Sequence, residues 1–347
     1  MRKTVRLGII GTGAIGAAHL DASSGCTGVE VTAVCDVHAR RAQAAAKQHR
    51  VPHVFSNHRE MLSSEVVDAV TICTPNNTHM PIALDAIKAG KDVLCEKPIA
   101  MNAQQAKRMA EAAKAAGRIL MVAQSARYSG ASEFAKRLVE SGRLGDIYYG
   151  KAVWFRRSGI PRGWFQDRKQ SGGGPLIDLG VHAVDLLWWL MGRPKPAAAF
   201  GVTFDHLGRT GQGMGGWGVG YSPGKFSVED MVGAIIRLKD GRAISVDISW
   251  AAHTSDLFWV RLLGTKGGAQ IQPNVVLYRT EGGVELETAA SLDERNAYAV
   301  ETQHFADCVR RREEPISPGS QAVVVMAMLD AITASARTGR LTPVRAT

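Results

Sequence analysis

The feature that most constrains this chain is a glycine string set directly after an apolar strand candidate. Val5–Ile10 runs into Gly11-Thr12-Gly13-Ala14-Ile15-Gly16, a helical stretch follows, and a second strand candidate, Glu30–Cys35, ends at Asp36. A Gly-x-Gly-x-x-Gly string alone is weak, but one that follows a strand, opens a helix and precedes an acidic residue twenty positions past its last glycine is specific. Gly11 allows the tight turn, Gly13 lets the backbone approach a pyrophosphate, and Gly16 packs helix against strand. The N–H groups near Ala14 and Ile15, with the helix dipole behind them, are where phosphate oxygens would sit, and Thr12 lies in the same loop. Asp36 can accept hydrogen bonds from both ribose hydroxyls, and its charge repels a 2′-phosphate, which favours NAD. Arg40 and Arg41, one helical turn on, can neutralise such a phosphate, so NADP stays open.

The pattern continues to about Ala123. Strand candidates are His53–Phe55, Ala69–Cys73, Asp92–Leu94 and Ile119–Val122, alternating with helical stretches at Ala39–Gln48, Pro81–Ala89 and Ala103–Ala116, the last two closed by Gly90 and Gly117. Apolar strands alternating with helices predict a doubly wound parallel sheet covered on both faces. After Ala123 the reading changes. Ser132–Ser141 and Val181–Leu190 have helical composition. Asp146–Phe155, Ala197–Phe204, Met231–Leu238, Ala243–Trp250, Leu257–Leu263 and Ala269–Gln272 read as strands, and helices at Tyr298–Arg311 and Gln321–Arg337 close the chain. Sequential strands with turns such as Asp240-Gly241 suit an antiparallel sheet. A length of 347 residues agrees with two domains, divided here as 1–123 and 124–347.

The charge sums to +10, from 42 Lys and Arg against 32 Asp and Glu. The basic residues are scattered, and the densest run, Arg310-Arg311-Arg312, is followed at once by Glu313-Glu314, so the chain does not read as a nucleic-acid binder. Five cysteines, with no Cys-x-x-Cys, read as reduced thiols in a cytoplasmic protein without a metal site. The N-terminal apolar stretch is interrupted by glycines and reads as a mature start, and no unbroken apolar run is long enough to predict a membrane span.

Two further strings end later strands, where ligands bind in such sheets. They are Thr74-Pro75-Asn76-Asn77-Thr78-His79 and Glu96-Lys97-Pro98. Downstream come Gly142-Arg143-Leu144-Gly145-Asp146-Ile147, Gly172-Gly173-Gly174-Pro175-Leu176-Ile177-Asp178-Leu179-Gly180-Val181-His182, and the ending Ser335-Ala336-Arg337-Thr338-Gly339-Arg340. Taken together with the glycine loop, these resemble the glucose-fructose oxidoreductase / inositol dehydrogenase (Gfo/Idh/MocA) family over essentially the whole chain. The resemblance implies an N-terminal Rossmann domain and a C-terminal α/β domain with a large open, mostly antiparallel sheet, whose exposed face forms the contact of a homo-oligomer, a dimer or tetramer. It also implies NAD(P)-dependent oxidation of a sugar or cyclitol hydroxyl, or reduction of the ketone. By motif it assigns Lys97, Asp178 and His182 as catalytic residues. Thr74, Pro75, Asn76, His79, Glu96, Lys97 and Gln124 join the glycine loop and Asp36 on the cofactor.

The chemistry agrees with that assignment. Oxidising a secondary alcohol needs a hydride acceptor, a base for the hydroxyl proton and a cation for the developing alkoxide. His182 is a natural base, since imidazole titrates near neutrality. Lys97 at a strand end can hydrogen-bond the reacting oxygen, and either of the two can act as the base. Asp178, four residues before His182, can orient the imidazole or bind a neighbouring hydroxyl if helix begins there.

For the substrate, the segment Trp154-Phe155-Arg156-Arg157-Ser158-Gly159-Ile160-Pro161-Arg162-Gly163-Trp164 offers aromatic faces and guanidinium donors, which suit sugars. Arg127, Arg156 and Trp164 are the candidates, beside Lys97, Asp178 and His182. The glycine-dense stretch Gly208–Gly224 reads as a surface excursion, or as a lid or intersubunit arm carrying Trp217 and Tyr221. Two other functions stay open: a glycosidase using transient NAD oxidation, and a redox-inert dinucleotide-binding regulator.

Overall fold

The computed structural model describes residues 4–216 and 226–345. Trp217 and Tyr221 lie outside the described residues. The chain forms two compact units, Met1–Tyr128 with Arg295–Val323, and Ser129–Glu294 with Val324–Thr347.

In the first unit the elements run β1 (Val5–Ile10), α1 (Ala14–Ser23), β2 (Val29–Cys35), α2 (Ala39–His49), β3 (His53–Phe55), α3 (His58–Ser63), β4 (Ala69–Ile72), α4 (Asn76–Lys88), β5 (Asp92–Glu96), α5 (Ala103–Ala115) and β6 (Leu120–Ala123). The six strands pair in parallel in the order β3-β2-β1-β4-β5-β6, so the direction of strand addition reverses beside β1. That reversal opens a crevice at the carboxyl ends of β1 and β4. β4 and β5 are buried along their whole length, as strands covered on both faces must be.

The second unit holds α6 (Gly130–Glu140), β7 (Ile147–Phe155), α7 (Arg168–Ser171), α8 (Val181–Leu190), β8 (Pro196–Phe204), α9 (His206–Arg209), β9 (Met231–Leu238), β10 (Ala243–Ser249), β11 (Leu257–Gly264), β12 (Gly268–Gln272), β13 (Val275–Glu281) and β14 (Val284–Ala290). Then come α10 (Ala297–Arg311), α11 (Gly319–Thr338) and β15 (Thr342–Pro343). Nine strands form one sheet in the order β14-β13-β12-β11-β7-β10-β9-β8-β15, antiparallel except for the parallel β7–β10 pair. Alternate residues of its central strands are buried: Ile244, Val246 and Ile248 on β10, Val260 and Leu262 on β11. Gly150 of β7 lies so close under Leu187 and Met191 that a Cβ there would stand 3.0 Å from each, which fixes α8 on this face.

Several elements add to the sequence reading or differ from it. Residues 295–323 belong with the first unit, because α10 packs against α1 and Arg310 hydrogen-bonds the carbonyls of Thr27 and Gly28. Helix α4 starts at Asn76 and contains Pro81, rather than starting at that proline. Pro81 is the sixth residue of the helix, so its ring removes the bond that would run to the Asn77 carbonyl. The hairpin β13–β14 was not expected from sequence. Finally, α11 is long and apolar enough to cross a membrane by length and composition, yet 61% of that window is buried inside the fold. Its Ile332 packs against Gly201 of β8, and its Ser335 hydroxyl accepts the Gly201 N–H at 3.1 Å.

Candidate active site

In the first unit the glycine loop runs from β1 into α1. Gly11 has φ +94°, and a Cβ on it would stand 2.6 Å from the Cys73 carbonyl oxygen. A Cβ at Gly16 would lie 2.0 Å from the Gly11 oxygen. Both positions exclude a side chain by contact with backbone. Gly13 is the opposite case: it is the N-cap of α1, and nothing lies within 4 Å of where its Cβ would be. The open approach is at the residue whose neighbours, exposed Ala14 and half-buried Ile15, begin the helix.

Asp36 is buried at the end of β2. Its Oδ2 accepts from the Thr12 N–H and the Thr12 hydroxyl, each at 3.0 Å, and its Oδ1 accepts from the His38 N–H at 2.9 Å. Burial alone would raise its pKa, but the donors of His38 and Thr12, with Arg41, outweigh it and hold the carboxyl below the ordinary value. Arg41 Nη1 stands 3.5 Å from Oδ2 on a half-exposed side chain. Val37, next in the chain, is 83% exposed.

Thr74, Pro75 and Asn76 follow β4, with Thr74 and Pro75 half-buried and Asn76 buried. His79 is buried behind them, its Nδ1 2.8 Å from the Pro98 carbonyl and its Nε2 2.7 Å from the Thr74 carbonyl. It therefore ties the loop after β4 to the loop after β5. Burial lowers its pKa, opposed by the two carbonyl acceptors, which favour the charged ring. Glu96 is buried, with Oε2 accepting from the Lys97 N–H at 3.0 Å and Oε1 2.8 Å from His19 Nε2. Sequence reading missed His19, which stands one turn past Gly16 on α1 and joins that helix to the Glu96-Lys97 turn. Tyr298 of α10 packs edge-on against it at 5.3 Å, and burial with nearby Glu96 pushes the Tyr298 phenol up to about 12. Lys97 is half-buried. Gln124, past β6, is buried, and its Oε1 has no hydrogen-bond partner. Open space at Gly13, the acceptor Asp36 and this orphan amide oxygen fit a dinucleotide.

Arg127 follows Gln124 in the same unit, its backbone N–H donating to the Gln124 carbonyl at 2.9 Å. It is buried, and its Nη1 donates to the Ile316 carbonyl and to Gln321 Oε1, both at 2.7 Å, so its guanidinium joins parts of the fold.

In the second unit, Leu176–Gly180 form a π-helical turn that leads directly into α8. Asp178 is on that turn, buried, and His182 follows on α8, half-buried. The helix does begin there, but with the wider winding that recurs at functional sites. Asp178 Oδ2 accepts the indole N–H of fully buried Trp250 at 2.9 Å. Glu229, buried, holds the approach to this turn: its Oε1 accepts the Gly174 N–H at 2.8 Å, and its Oε2 lies 3.1 Å from Arg168 Nη2. Burial outweighs these partners and raises the Glu229 pKa. The Trp154 ring is 6.5 Å from His182, is stacked on Phe258 at 4.2 Å, and lies under the Arg156 guanidinium at 5.5 Å. Trp164 stacks on Phe165 at 3.9 Å, both half-buried. Neither Trp250 nor Glu229 carried a local sequence signal beyond residue type, since each meets its partner across more than fifty residues of chain.

Comparison with known proteins identifies the family and the fold. The family model described as "Oxidoreductase family, NAD-binding Rossmann fold" matches residues 5–124, and the GFO/IDH/MocA C-terminal domain matches residues 133–270. The D-glucoside 3-dehydrogenase of Escherichia coli (strain K12) is 30% identical over 341 residues, covering 96% of each chain. The scyllo-inositol 2-dehydrogenase (NAD(+)) of Bacillus subtilis (strain 168) is 26% identical, over 98% of this chain and 96% of that one. Among solved structures, a levoglucosan dehydrogenase in complex with NADH and levoglucosan shares the fold, with TM-score 0.88 and 21% identity over 98% of this chain and 99% of that one. With the two family models covering residues 5–124 and 133–270, this chain belongs to the GFO/IDH/MocA family of oxidoreductases, with an NAD-binding Rossmann domain.

Proposed function

We propose that this chain oxidises a secondary hydroxyl of a sugar, sugar derivative or cyclitol, or reduces the corresponding ketone, with NAD as the preferred cofactor. The observation that carries the reading is the buried Asp36, held ionised at the end of β2 and wired to Thr12 of the glycine loop. The glucoside and inositol dehydrogenases among the relatives support the substrate class.

The glycine loop, Asp36, the Thr74–Asn76 turn and Gln124 would hold the nucleotide. His79 and Glu96 act behind them by fixing the two loops. When bound, NAD supplies the hydride acceptor. Lys97 hydrogen-bonds the reacting oxygen and stabilises its developing negative charge. His182 takes the hydroxyl proton, and Asp178 orients the imidazole or binds a neighbouring hydroxyl. Arg41, already against Asp36, offsets part of the charge that repels a 2′-phosphate, so NADP is accepted at lower affinity.

The first domain serves the cofactor, and the second serves the substrate and a second copy of the chain. On β8 and β9, Phe200 pairs with Ile235, and both are exposed, as are Val202 and Phe204. This apolar stripe lies on the sheet face opposite α8 and suits a homo-oligomer contact. Five free thiols fit a reducing, cytoplasmic compartment.

The test is a panel of cyclic polyols and glycosides with NAD, read by the near-ultraviolet absorbance of NADH. Wild type should produce NADH, and Lys97→Ala should abolish turnover while NAD still binds. Release of free sugar without net NADH would instead indicate a glycosidase, and tight nucleotide binding without any product a regulator.

A further inference from the structure

The aromatic pair beside His182 has a geometry that an ordinary core pair lacks. Trp154 and Phe258 are directly opposite each other on β7 and β11, with rings 4.2 Å apart and 30° between planes. Both lie at two-residue spacing, and so on the same sheet face, as residues that face α8, Gly150 and Ala152 on one strand and Val260 and Leu262 on the other. Those inner neighbours are fully covered, whereas the two aromatic rings are only half-buried. The stack is thus the uncovered continuation of the inner sheet face. It ends near His182, whose ring is 6.5 Å from Trp154 and tilted by 43°. Arg156 brings a guanidinium to 5.5 Å from the same indole.

We propose that Trp154 and Phe258, with Arg156, form the docking platform for the ring of the substrate, and that it selects closed six-membered polyhydroxylated rings over acyclic polyols. The proposal rests on the dehydrogenase reading and extends it to the ligand's shape. A pyranoside or cyclitol with mainly equatorial hydroxyls presents a flat face of C–H groups, which an indole face covers well. Its hydroxyls then project outward from the ring edge, where a guanidinium fork can donate to them. An acyclic polyol has no preformed flat face and must freeze several torsions to make one, so it gains less.

The experiment compares wild type, Trp154→Ala and Trp154→Phe, each with NAD present. The probes are methyl β-D-glucopyranoside, myo-inositol and sorbitol. Binding is followed by saturation-transfer NMR and calorimetry, and turnover by NADH formation. Wild type should favour the two rings over sorbitol. Trp154→Ala should raise Kd and KM for the ring that is turned over by about tenfold, with kcat falling less than about threefold, and should erase the preference over sorbitol. Trp154→Phe should recover most of the loss. Equal ring binding by wild type and Trp154→Ala overturns the platform, as does a wild type that binds no ring at millimolar concentration. The two proposals separate cleanly: Trp154-dependent ring binding without NADH formation sinks the dehydrogenase reading alone, while NADH formation with unchanged KM in Trp154→Ala sinks the platform alone.

Discussion

The indole N–H of Trp250 donates to Oδ2 of Asp178 at 2.9 Å, and both side chains are buried. An indole nitrogen can only donate, so this oxygen of Asp178 is held as an acceptor. Trp250→Phe removes the donor and keeps most of the ring. A hydrogen bond to a buried charged group contributes about 1.5–3 kcal/mol, so kcat should fall on the order of ten- to a hundredfold. The pH profile of kcat should move as well, because the carboxylate proposed to orient His182 has lost a partner. A lower melting temperature with an unchanged pH profile would mean that Trp250 only fills the core.

Gly13 and Gly16 should separate binding from folding. Gly16→Ala drives a methyl into the Gly11 carbonyl and should lower stability by about 1–3 kcal/mol, read by urea unfolding. Gly13→Ala meets no atom in the fold and should keep stability within about 0.5 kcal/mol, while NADH affinity by fluorescence titration drops about tenfold or more. Wild-type NADH affinity in Gly13→Ala would remove the pyrophosphate from that loop.

Asp36 gives a pH signature. Its folded pKa lies below the ordinary 3.8, so its stabilising contribution is present in full above 3.8 and is lost as pH falls through the lower folded value. The stability difference between wild type and Asp36→Asn should therefore be largest near neutrality and shrink in acid. The same variant should lose part of its discrimination against NADP. A difference that stays flat down to strong acid would show that Asp36 is not held ionised by its donors.

The stripe on β8 and β9 predicts subunit contact. Phe200→Lys with Ile235→Lys places two charges on paired, exposed positions and should shift the sedimenting species toward monomer, with little change in unfolding midpoint. A monomeric wild type would sink this assignment.

The first sheet was legible because covered parallel strands are unbroken apolar runs, and because the glycine loop and Asp36 keep a fixed spacing along one βαβ unit. Most strands of the second sheet could be read from turns and alternation. The edge hairpin could not: β14 is Val284-Glu285-Leu286-Glu287-Thr288-Ala289-Ala290, nearly all exposed, and it exists by pairing with β13. The return of α10 to the first unit was hidden too, since the helix packs on α1 far upstream in the chain. At the site, motif residues were visible and their holders were not. Lys97, Asp178 and His182 lie in recognisable strings, whereas His19, Glu229 and Trp250 act across distances in sequence that local patterns do not encode.

The wide turn at Leu176–Gly180 makes the placement of Asp178 depend on chain length there. Deleting one of these five residues would let the segment wind as ordinary α-helix and would shift the position of Asp178 relative to α8. Asp178 would swing away from Trp250 while the helix itself survived. Loss of a single codon would thus unseat the proposed orienting carboxylate and keep the scaffold.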